Sequence, residues 1–446
     1  MEFIIALFIL IGFNTSVWAT IGLARLFFEN FKNNPAIRFV FEPKNLAPDF
    51  IVLYQKRLDP DFKNLIKNSA GSSRIREDEV AVIIPAHNEE KTIAKTINSL
   101  KKILPGSHIY VANDASADWT SKIAKELNCQ VFDAYPNMGK ANVIAHTIKL
   151  LRLTKFYKAI MIMDADSEVN GEYLKRALPL FNDPRVVAIA PHAESKWSKQ
   201  RRLGLPLLFT AYRVRLYRML QAVLRYGQTW SYINVTTIVP GFASLYRSTA
   251  IEKININPQG LVIEDYNMTF EVHHKKLGKI AYSPNVKGFT RDPENFKDYY
   301  KQVKRWNLGF WQTLRRHKVW PSLFSLTTTI YITEVLISSF LFLLTPLLLA
   351  WFAFNSFSSW PLPFTIPILN ITQINFLDLA LGLLGVDYLI TVIVAWYEKK
   401  PALLLYGPVF ILLRYLDAFV LLYTLPLAFI IKSDGRWVSP ERKTEI

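Results

Sequence analysis

The chain has 446 residues and a mass of 51.4 kDa, and its 53 Lys and Arg against 36 Asp and Glu give a formal net charge of +17. Half of the residues (51%) are apolar and 20% are charged, which excludes long intrinsic disorder. A single cysteine, Cys129, excludes an internal disulfide and a zinc site built from several cysteines. The length predicts about two to three domains. The single cysteine indicates a protein that lies in a reducing compartment or is indifferent to redox conditions.

The first apolar segment, residues 3–28, is almost uncharged and long enough to cross a bilayer. A cleavable signal peptide is the alternative, but there is no basic region before the segment and no clear small-residue cleavage site after a short apolar core. The sequence therefore predicts an N-terminal transmembrane helix at 1–30 and a linker at 31–78.

Three further apolar segments follow, at 326–354, 375–396 and 402–431. The loop between the first two carries no Lys or Arg, whereas basic residues follow the N-terminal segment, so the positive-inside rule places this loop outside and the middle of the chain in the cytoplasm. We expect a multi-pass cell-membrane protein with a transmembrane region at 323–431 and a basic tail at 432–446. Three crossings would put the basic tail outside, so either the segment 402–431 does not cross once or the tail breaks the positive-inside rule.

The middle of the chain, residues 79–294, reads as a cytoplasmic α/β domain. Short apolar runs occur at 80–84, 109–112, 159–163 and 186–190. Between them, segments at 89–103, 118–128 and 139–153 have apolar residues at helical spacing. This alternation indicates a mostly parallel sheet with helices on both faces, whose ligand lies beyond the carboxyl ends of the strands.

Polar motifs stand where those strands end or a helix begins: PAHNEE at 85–90, NDASAD at 113–118, NMGKA at 137–141 and DAD at 164–166. Taken singly, each has a purely structural interpretation. Asp118 is suited to cap a helix N-terminus, Asn88 and Ser116 to turns, and Gly139 to a tight turn before its helix.

Asp164 and Asp166 are harder to explain structurally, because two carboxylates at the end of a buried strand repel each other. Mg²⁺ or Mn²⁺ removes this repulsion and prefers such oxygen ligands when it bridges a diphosphate. Asp114, at an adjacent strand end, is placed to bind a base or ribose. Lys140, at a helix start, is placed to reach a phosphate, with a solvated surface lysine as the alternative.

These motifs continue with PGFASLYR at 240–247, IED at 263–265 and QVKRW at 302–306. In this order the set resembles the membrane-bound, family-2 inverting glycosyltransferases that make polysaccharides processively, such as cellulose, hyaluronan and chitin synthases. The likeness is closest to bacterial poly-β-1,6-N-acetylglucosamine synthases, includes the closing WVSPER, and covers nearly the whole chain. It implies a GT-A-like (Rossmann-like) domain, with N- and C-terminal transmembrane helices and interfacial helices.

The resemblance also implies residue roles. Asp114 matches the residue that contacts the nucleotide base, and Asp265 matches the catalytic base. Asp164 and Asp166 match the pair that holds the diphosphate and the metal. Ile263 stands where many relatives have Thr, and the acidic Glu264 and Asp265, which we predict to be the catalytic residues, remain. We predict the remaining donor-binding residues to be Asn88, Glu89, Lys140 and Arg305, and the acceptor-binding residues to be Gly241, Phe242, Gln302 and Trp306.

Transfer from a nucleotide diphosphate needs a neutralised leaving group, a base for the acceptor hydroxyl and an in-line arrangement, and inversion needs no second nucleophile. Asp265 begins a predicted helix at 265–276, where the macrodipole favours a carboxylate. The alternative is that Glu264 and Asp265 are simply an acidic pair at a helix N-terminus.

Gln302, Arg305 and Trp306 fall on one face of a helix predicted at about 295–318, within an interfacial segment at 295–322. Trp306 is suited to stack on an acceptor sugar, Arg305 to hold the diphosphate, and Gln302 to bind a hydroxyl or orient the base. The Lys, Arg and aromatic content of this helix equally suits an amphipathic helix on the anionic inner leaflet, as does that of 200–226.

The basic excess thus belongs to membrane surfaces, and no nucleic-acid partner is predicted. The expected partners are a nucleotide-sugar donor, a growing glycan or lipid acceptor, membrane lipids, and a small membrane subunit or a second copy of the chain. UDP-N-acetylglucosamine is the favoured donor by resemblance alone, with UDP-glucose next. Transfer of one sugar to a lipid carrier, and an inactive scaffold or channel subunit, are the alternatives. Within the last spans, we predict that Arg414 pairs with Glu334 or Asp417.

Overall fold

The structure is a computed structural model that describes residues 12–33, 74–197, 204–358, 376–431 and 433. Most of the predicted linker, external loop and basic tail lies outside the described residues, as do residues 1–11 of the first predicted span. The described residues form two compact units. The sheet unit contains residues 18–33, 74–194, 221–291 and 433, and the helical unit contains 12–17, 195–197, 204–220, 292–358 and 376–431.

The helices are α1 Phe13–Asn33, α2 Ile93–Leu100, α3 Thr120–Glu126, α4 Lys140–Leu150, α5 Leu153–Phe156, α6 Tyr173–Ala177, α7 Leu205–Met219, α8 Tyr226–Gln228, α9 Ser248–Ile251, α10 Glu264–His274, α11 Phe296–His317, α12 Leu323–Ser358, α13 Phe376–Glu398 and α14 Ala402–Ile430. Short 3-10 turns occur at Glu77–Glu79, Gly106–His108 and Leu178–Asn182, and a π-helix at Leu220–Arg225. The helices predicted within 89–103, 118–128, 139–153, 265–276 and 295–318 therefore form as α2, α3, α4, α10 and α11.

The sheet has eight strands in the order β3-β2-β1-β4-β7-β6-β8-β5. They are β1 Val80–Ala86, β2 Ile109–Asp114, β3 Gln130–Ala134, β4 Ala159–Ile162, β5 Glu168–Val169, β6 Val186–Ser195, β7 Ser244–Arg247 and β8 Lys279–Thr290. All four apolar runs predicted as strands form strands. The half built from β1 to β4 is parallel, as predicted.

The other half makes the sheet mixed, because β7 pairs antiparallel with both β4 and β6. This direction has a consequence for the site. Antiparallel pairing sets Ser244 opposite Ile162, so the loop that precedes β7 lies beside the carboxyl end of β4, just before Asp164. The segment PGFA at 240–243 is thereby brought to the edge where the parallel strands end.

A hydrophobic core fixes this sheet against two helices that begin at the same edge. Ile83 and Ile160 of the strands cluster with Val143 and Ile144 of α4 and with Met268 of α10. Burial of each such side chain stabilises the fold by about 1.5–3 kcal/mol. The N-termini of α4 and α10, which begin at Lys140 and Glu264, are therefore held by packing that lies behind them.

In the helical unit, the apolar segments predicted after residue 322 form α12, α13 and α14. By length and composition, two stretches of the described residues could cross a membrane, Leu323–Trp351 and Ala402–Ile430. Large apolar side chains on these helices are exposed, for example Leu347 and Leu412. Helices α7 and α11 share a core with α14 that includes Phe209, Tyr299 and Phe410.

The predicted partner of Arg414 is wrong. Arg414 pairs with Asp387 of α13, which also receives two bonds from Arg215 of α7. Glu334 instead accepts from the backbone N–H of Asn14, and Asp417 accepts from two tyrosine hydroxyls. Asp387 lies 27 residues from Arg414 in sequence, and no helical spacing predicts that pairing.

Candidate active site

Lys140 and two carboxylates meet at the edge where β4 ends and where α4 and α10 begin. The Lys140 Nζ lies 2.7 Å from Oδ1 of Asp164 and 2.8 Å from Oε1 of Glu264. The side chains of Lys140 and Glu264 are 17% and 6% exposed, so the contact is well shielded from water. Three predicted site residues that are distant in sequence are thus brought into one cluster.

The charges of this cluster do not balance. Burial alone would lower the pKa of Lys140, but Asp164 and Glu264 outweigh it and raise that pKa well above its usual range, so the ammonium stays charged. Burial raises the pKa of Asp164, and the carboxylates of Asp166 and Glu264 add to this effect against the opposing pull of Lys140. The site therefore has an excess of negative charge that a further cation would relieve.

Asp265 is the second residue of α10 and lies beside Gly241. Its Oδ2 accepts from the Gly241 N–H at 3.3 Å, and its Oδ1 accepts from the Tyr266 N–H at 2.7 Å. The acidic residues of the first turn thus have different surroundings. Glu264 is turned to Lys140, whereas Asp265 is held by backbone N–H groups.

Gly241 is needed for close packing against this cluster. A Cβ at this position would lie 3.1 Å from the Lys140 Nζ and 3.2 Å from Oε1 of Glu264, tighter than ordinary contact. Gly241 was predicted to bind the acceptor, and the structure shows a separate reason for a glycine at this position, which is room for the ion pairs of Lys140.

We predict that Gly241→Ala lowers turnover by about tenfold or more, because the added methyl displaces Lys140 and Glu264 by a few tenths of an ångström and small misplacements in an active site are costly. Rates of donor consumption by the purified variant would measure this. Gly171→Ala is the matched control, since a Cβ there meets nothing within 4 Å. Equal rates for Gly241→Ala and the wild type would contradict the packing argument.

The other loops at this edge are joined by hydrogen bonds. Asp114 is fully buried, and its two carboxylate oxygens accept from the backbone N–H groups of Met138 and Gly139, both at 2.8 Å. His87 Nδ1 donates to the Asp114 carbonyl at 2.6 Å, a contact that the sequence did not indicate. Asp114 therefore fixes the 137–139 loop directly ahead of Lys140.

Asn88 and Glu89 also join loops. Asn88 has a left-handed φ of 55°, and its Oδ1 accepts from the Ala117 N–H at 2.8 Å. Glu89 is 1% exposed and accepts from the Thr92 hydroxyl at 2.7 Å. The exposed Asn88 is thus presented at the strand edge, whereas the Glu89 side chain supports the start of α2 from inside.

The rest of the 240–243 loop is held by contacts with β8 and α6. Phe242 is 9% exposed, and a Cβ on Gly288 would lie 2.9 Å from its ring, so the ring packs closely against β8. The Tyr173 hydroxyl donates to the carbonyl of Ala243, a residue with a left-handed φ of 51°. Phe242 thus supports the loop, and Gly241 is the part that faces the acidic cluster.

Asp164 and Asp166 suit a divalent cation by their chemistry. They are carboxylates two positions apart in a cluster with excess negative charge, and Mg²⁺ typically takes one or two protein carboxylates together with phosphate oxygens and water. No group of three or more His, Cys, Asp or Glu side chains with metal-site geometry occurs in the described part of the chain. The two aspartates therefore fit a metal whose remaining ligands would be oxygens of a bound phosphate group and water.

Gln302, Arg305 and Trp306 lie on α11 in the helical unit, on one face as predicted. Arg305 is exposed, and Gln302 and Trp306 are half-buried. Both of the latter contact Arg213 of α7: its Nη2 donates to Oε1 of Gln302 at 2.7 Å, and its guanidinium lies 4.4 Å from the Trp306 ring centre. For residues 200–226, which contain Arg213, the sequence indicated only an interfacial helix. Its basic pattern did not indicate which arginine turns inward.

Residues 81–254 match the family model described as "Glycosyl transferase family 2". That stretch contains the parallel strands and the Lys140, Asp164 and Gly241 part of the cluster. The sheet unit, which contains this matched stretch, has a GT-A-like fold with a mixed sheet.

Among curated proteins, the chain is similar to a probable glycosyltransferase, YdaM, of Bacillus subtilis, at 26% identity over 243 residues, 52% of this chain and 54% of that protein. It is 27% identical to hyaluronan synthase of Streptococcus pyogenes over 256 residues, 52% and 57% of the two chains. A 4,4'-diaponeurosporenoate glycosyltransferase of Staphylococcus haemolyticus matches at 35% over 101 residues, 22% and 27%. The chain thus spans about half the length of the first two relatives. Among solved structures, the mannosyltransferase PcManGT of Pyrobaculum calidifontis aligns with a TM-score of 0.49 and 16% identity, over 81% of this chain and 94% of that one.

Proposed function

We propose that the protein is a processive, inverting glycosyltransferase that extends a β-linked polysaccharide from a UDP-sugar at the cytoplasmic face of the cell membrane. The observation that carries the proposal is the cluster of Lys140, Asp164 and Glu264 with Asp265 beside Gly241, in the unit whose residues 81–254 match the family-2 glycosyltransferase model. UDP-N-acetylglucosamine is the favoured donor, on the resemblance of the motifs.

The proposed donor site is the negatively charged strand edge around Asp164. Asp164 and Asp166 would hold Mg²⁺ or Mn²⁺, which when bound neutralises the diphosphate of the leaving nucleotide. The Lys140 ammonium, 2.7 Å from Asp164, supplies a second positive charge there. Asp114 acts through the 137–139 loop that it holds by two hydrogen bonds. We assign this loop, together with the exposed Asn88, to binding of the nucleotide base.

The proposed reaction is a single displacement at the anomeric carbon. Asp265 accepts the proton of the acceptor hydroxyl while that oxygen forms the new bond to the sugar and the diphosphate departs with the electron pair of the old bond. Glu264 is the neighbouring carboxylate, but its ion pair with Lys140 gives it a supporting part. One base without a second nucleophile gives inversion of configuration.

Chain extension rather than a single transfer is supported by the Gln302, Arg305 and Trp306 motif on α11. The two apolar helices Leu323–Trp351 and Ala402–Ile430 support attachment to a membrane, where a growing polymer could leave the cytoplasm. The similarity to a hyaluronan synthase favours a polymer product. The similarity to a diaponeurosporenoate glycosyltransferase favours the second candidate, which is transfer of one sugar to a lipid.

A sugar-incorporation screen tests the proposal. The full chain, purified in lipid nanodiscs, would receive UDP-N-acetylglucosamine, UDP-glucose, UDP-glucuronate or GDP-mannose, each with Mg²⁺, Mn²⁺ or EDTA. We expect a product of many sugars from one UDP-sugar, formed only with a divalent cation. Products of a single sugar attached to lipid would establish the second candidate, and no transfer from any donor would overturn both.

A further inference from the structure

Arg213 is a buried arginine that contacts two residues of the α11 motif, Gln302 and Trp306, and also Tyr299 of the same helix. It is 1% exposed, and its guanidinium lies over the rings of Tyr299 and Trp306, at 4.8 Å and 4.4 Å from their centres. Its Nη2 donates to Oε1 of Gln302 at 2.7 Å. A charge buried this deeply costs free energy, and here it is held by an amide oxygen and two aromatic faces.

The arrangement fixes which atoms of Gln302 and Trp306 remain for a ligand. A guanidinium has only donors, so the Gln302 atom that faces it has to be the oxygen, and the Nε2 amide group is turned away from Arg213. Arg213 also covers one face of the Trp306 ring, so a sugar can stack only on the opposite face. Gln302 and Trp306 are four residues apart on a helix, so their remaining groups are neighbours.

A buried network supports Arg213 from the side of α14. The Tyr299 hydroxyl donates to Oδ1 of Asp417 at 2.6 Å, and the Tyr212 hydroxyl donates to Oδ2 at 2.8 Å. The Tyr299 ring also stacks on Phe209 at a centroid distance of 5.2 Å. The ring on which Arg213 rests is thus fixed at both its hydroxyl and its face.

We propose that Arg213 is a positioning residue for the acceptor: it orients Gln302 so that an N–H donor meets a hydroxyl oxygen of the acceptor, and it restricts sugar stacking to one face of Trp306. The acceptor class that fits is a neutral, hydroxyl-rich sugar ring. This inference rests on the proposed function, because it assigns an acceptor to the same motif.

Steady-state kinetics with an oligosaccharide acceptor test the inference. We expect Arg213→Met to raise the KM for the acceptor by about 10- to 100-fold, the loss typical of a hydrogen bond to a charged group. The KM for the donor and the slow hydrolysis of donor without acceptor should stay within about twofold, since no acceptor contact is involved in either. The acceptor KM of Arg213→Lys should lie between those of Arg213→Met and the wild type, because lysine keeps a positive charge beside the Trp306 ring but lacks the planar guanidinium. Arg316→Met, at an exposed position of α11, is the control.

Gln302→Glu separates positioning from folding. The carboxylate keeps the pair with Arg213, and strengthens it, but it replaces the N–H donor with a second acceptor oxygen. We therefore expect a normally folded variant whose KM for the acceptor rises as in Arg213→Met. This variant decides the inference if Arg213→Met does not fold.

An unchanged acceptor KM in Arg213→Met or Gln302→Glu would overturn the inference, as would parallel changes in donor KM, acceptor KM and kcat in both variants. These results differ from failure of the proposed function itself. That failure would appear as no sugar transfer by the wild-type chain, whereas an active wild type with an unchanged acceptor KM in the variants would reject the role of Arg213 alone.

Discussion

Asp265→Asn is expected to lower turnover by about 10²- to 10⁴-fold, the usual contribution of a positioned general base. An asparagine keeps the size of the side chain and its Oδ1 can still accept from a backbone N–H, as the aspartate does from Tyr266 at 2.7 Å. What is lost is the ability to accept the proton of the acceptor hydroxyl, together with the long 3.3 Å bond that Oδ2 accepts from the Gly241 N–H. Nucleotide binding should therefore persist at nearly the wild-type affinity, measured by calorimetry with UDP.

Asp298→Asn is the matched control for this variant. It makes the same isosteric change in the first turn of another helix, α11, where Asp298 lies at the start of the helix capped by Asn295. We expect turnover of the control within about twofold of the wild type. Unchanged turnover in Asp265→Asn would remove the base assignment, and loss of UDP binding would instead make Asp265 a donor ligand.

The sequence predicted the strand edge well because local patterns and the parallel-sheet rule act together there. Runs such as 80–84 are buried on both sides of the sheet and read as strands from composition alone. Once those strands are parallel, their carboxyl ends coincide, so Asp164 and the helix that begins at Lys140 were predicted at one edge, whereas Glu264 was indicated by the resemblance of its motif. The packing of α4 and α10 then determines that they touch.

Short or solvent-facing strands were not predicted. β3, Gln130–Ala134, buries only its last residue and carries a charge, and β5 has two residues, so neither has an apolar run. Their pairing depends on neighbours that are distant in sequence. The antiparallel direction of β7, which sets Gly241 against Lys140, was not apparent from composition either.

Partners of buried charges were the least predictable part. Arg213 and Arg215 are neighbours in one basic helix, yet the former turns to Gln302 and the latter to Asp387. Helical spacing gives the face of a residue but not which distant helix packs on it. The prediction for Arg414 failed for the same reason. The two carboxylates predicted as its partner, Asp417 and Glu334, accept from a tyrosine hydroxyl and from a backbone N–H instead.

Lys140→Met is expected to destabilise the sheet unit more than any other single change proposed, and a metal should offset the loss. Without the ammonium, Asp164 and Glu264 share a shielded site with no positive charge, and breaking a buried ion pair typically costs about 3–5 kcal/mol. We expect a lower thermal midpoint in EDTA and partial recovery with Mn²⁺ or Mg²⁺, because a cation bound only by the folded state stabilises it.

Lys140→Arg is the control, since it keeps the charge in a larger, planar group. We expect its stability in EDTA to lie nearer to that of the wild type, while its turnover falls because a fork does not replace a point charge between two carboxylates. Differential scanning fluorimetry with and without EDTA, on the full chain in nanodiscs, measures both effects. Equal recovery of Lys140→Met by Mn²⁺ after Asp164 and Asp166 are both changed to Asn would show that the metal binds elsewhere. Equal stability of Lys140→Met and wild type in EDTA would show that the excess negative charge at this edge is tolerated, and the physical basis for a cation at Asp164 would be lost.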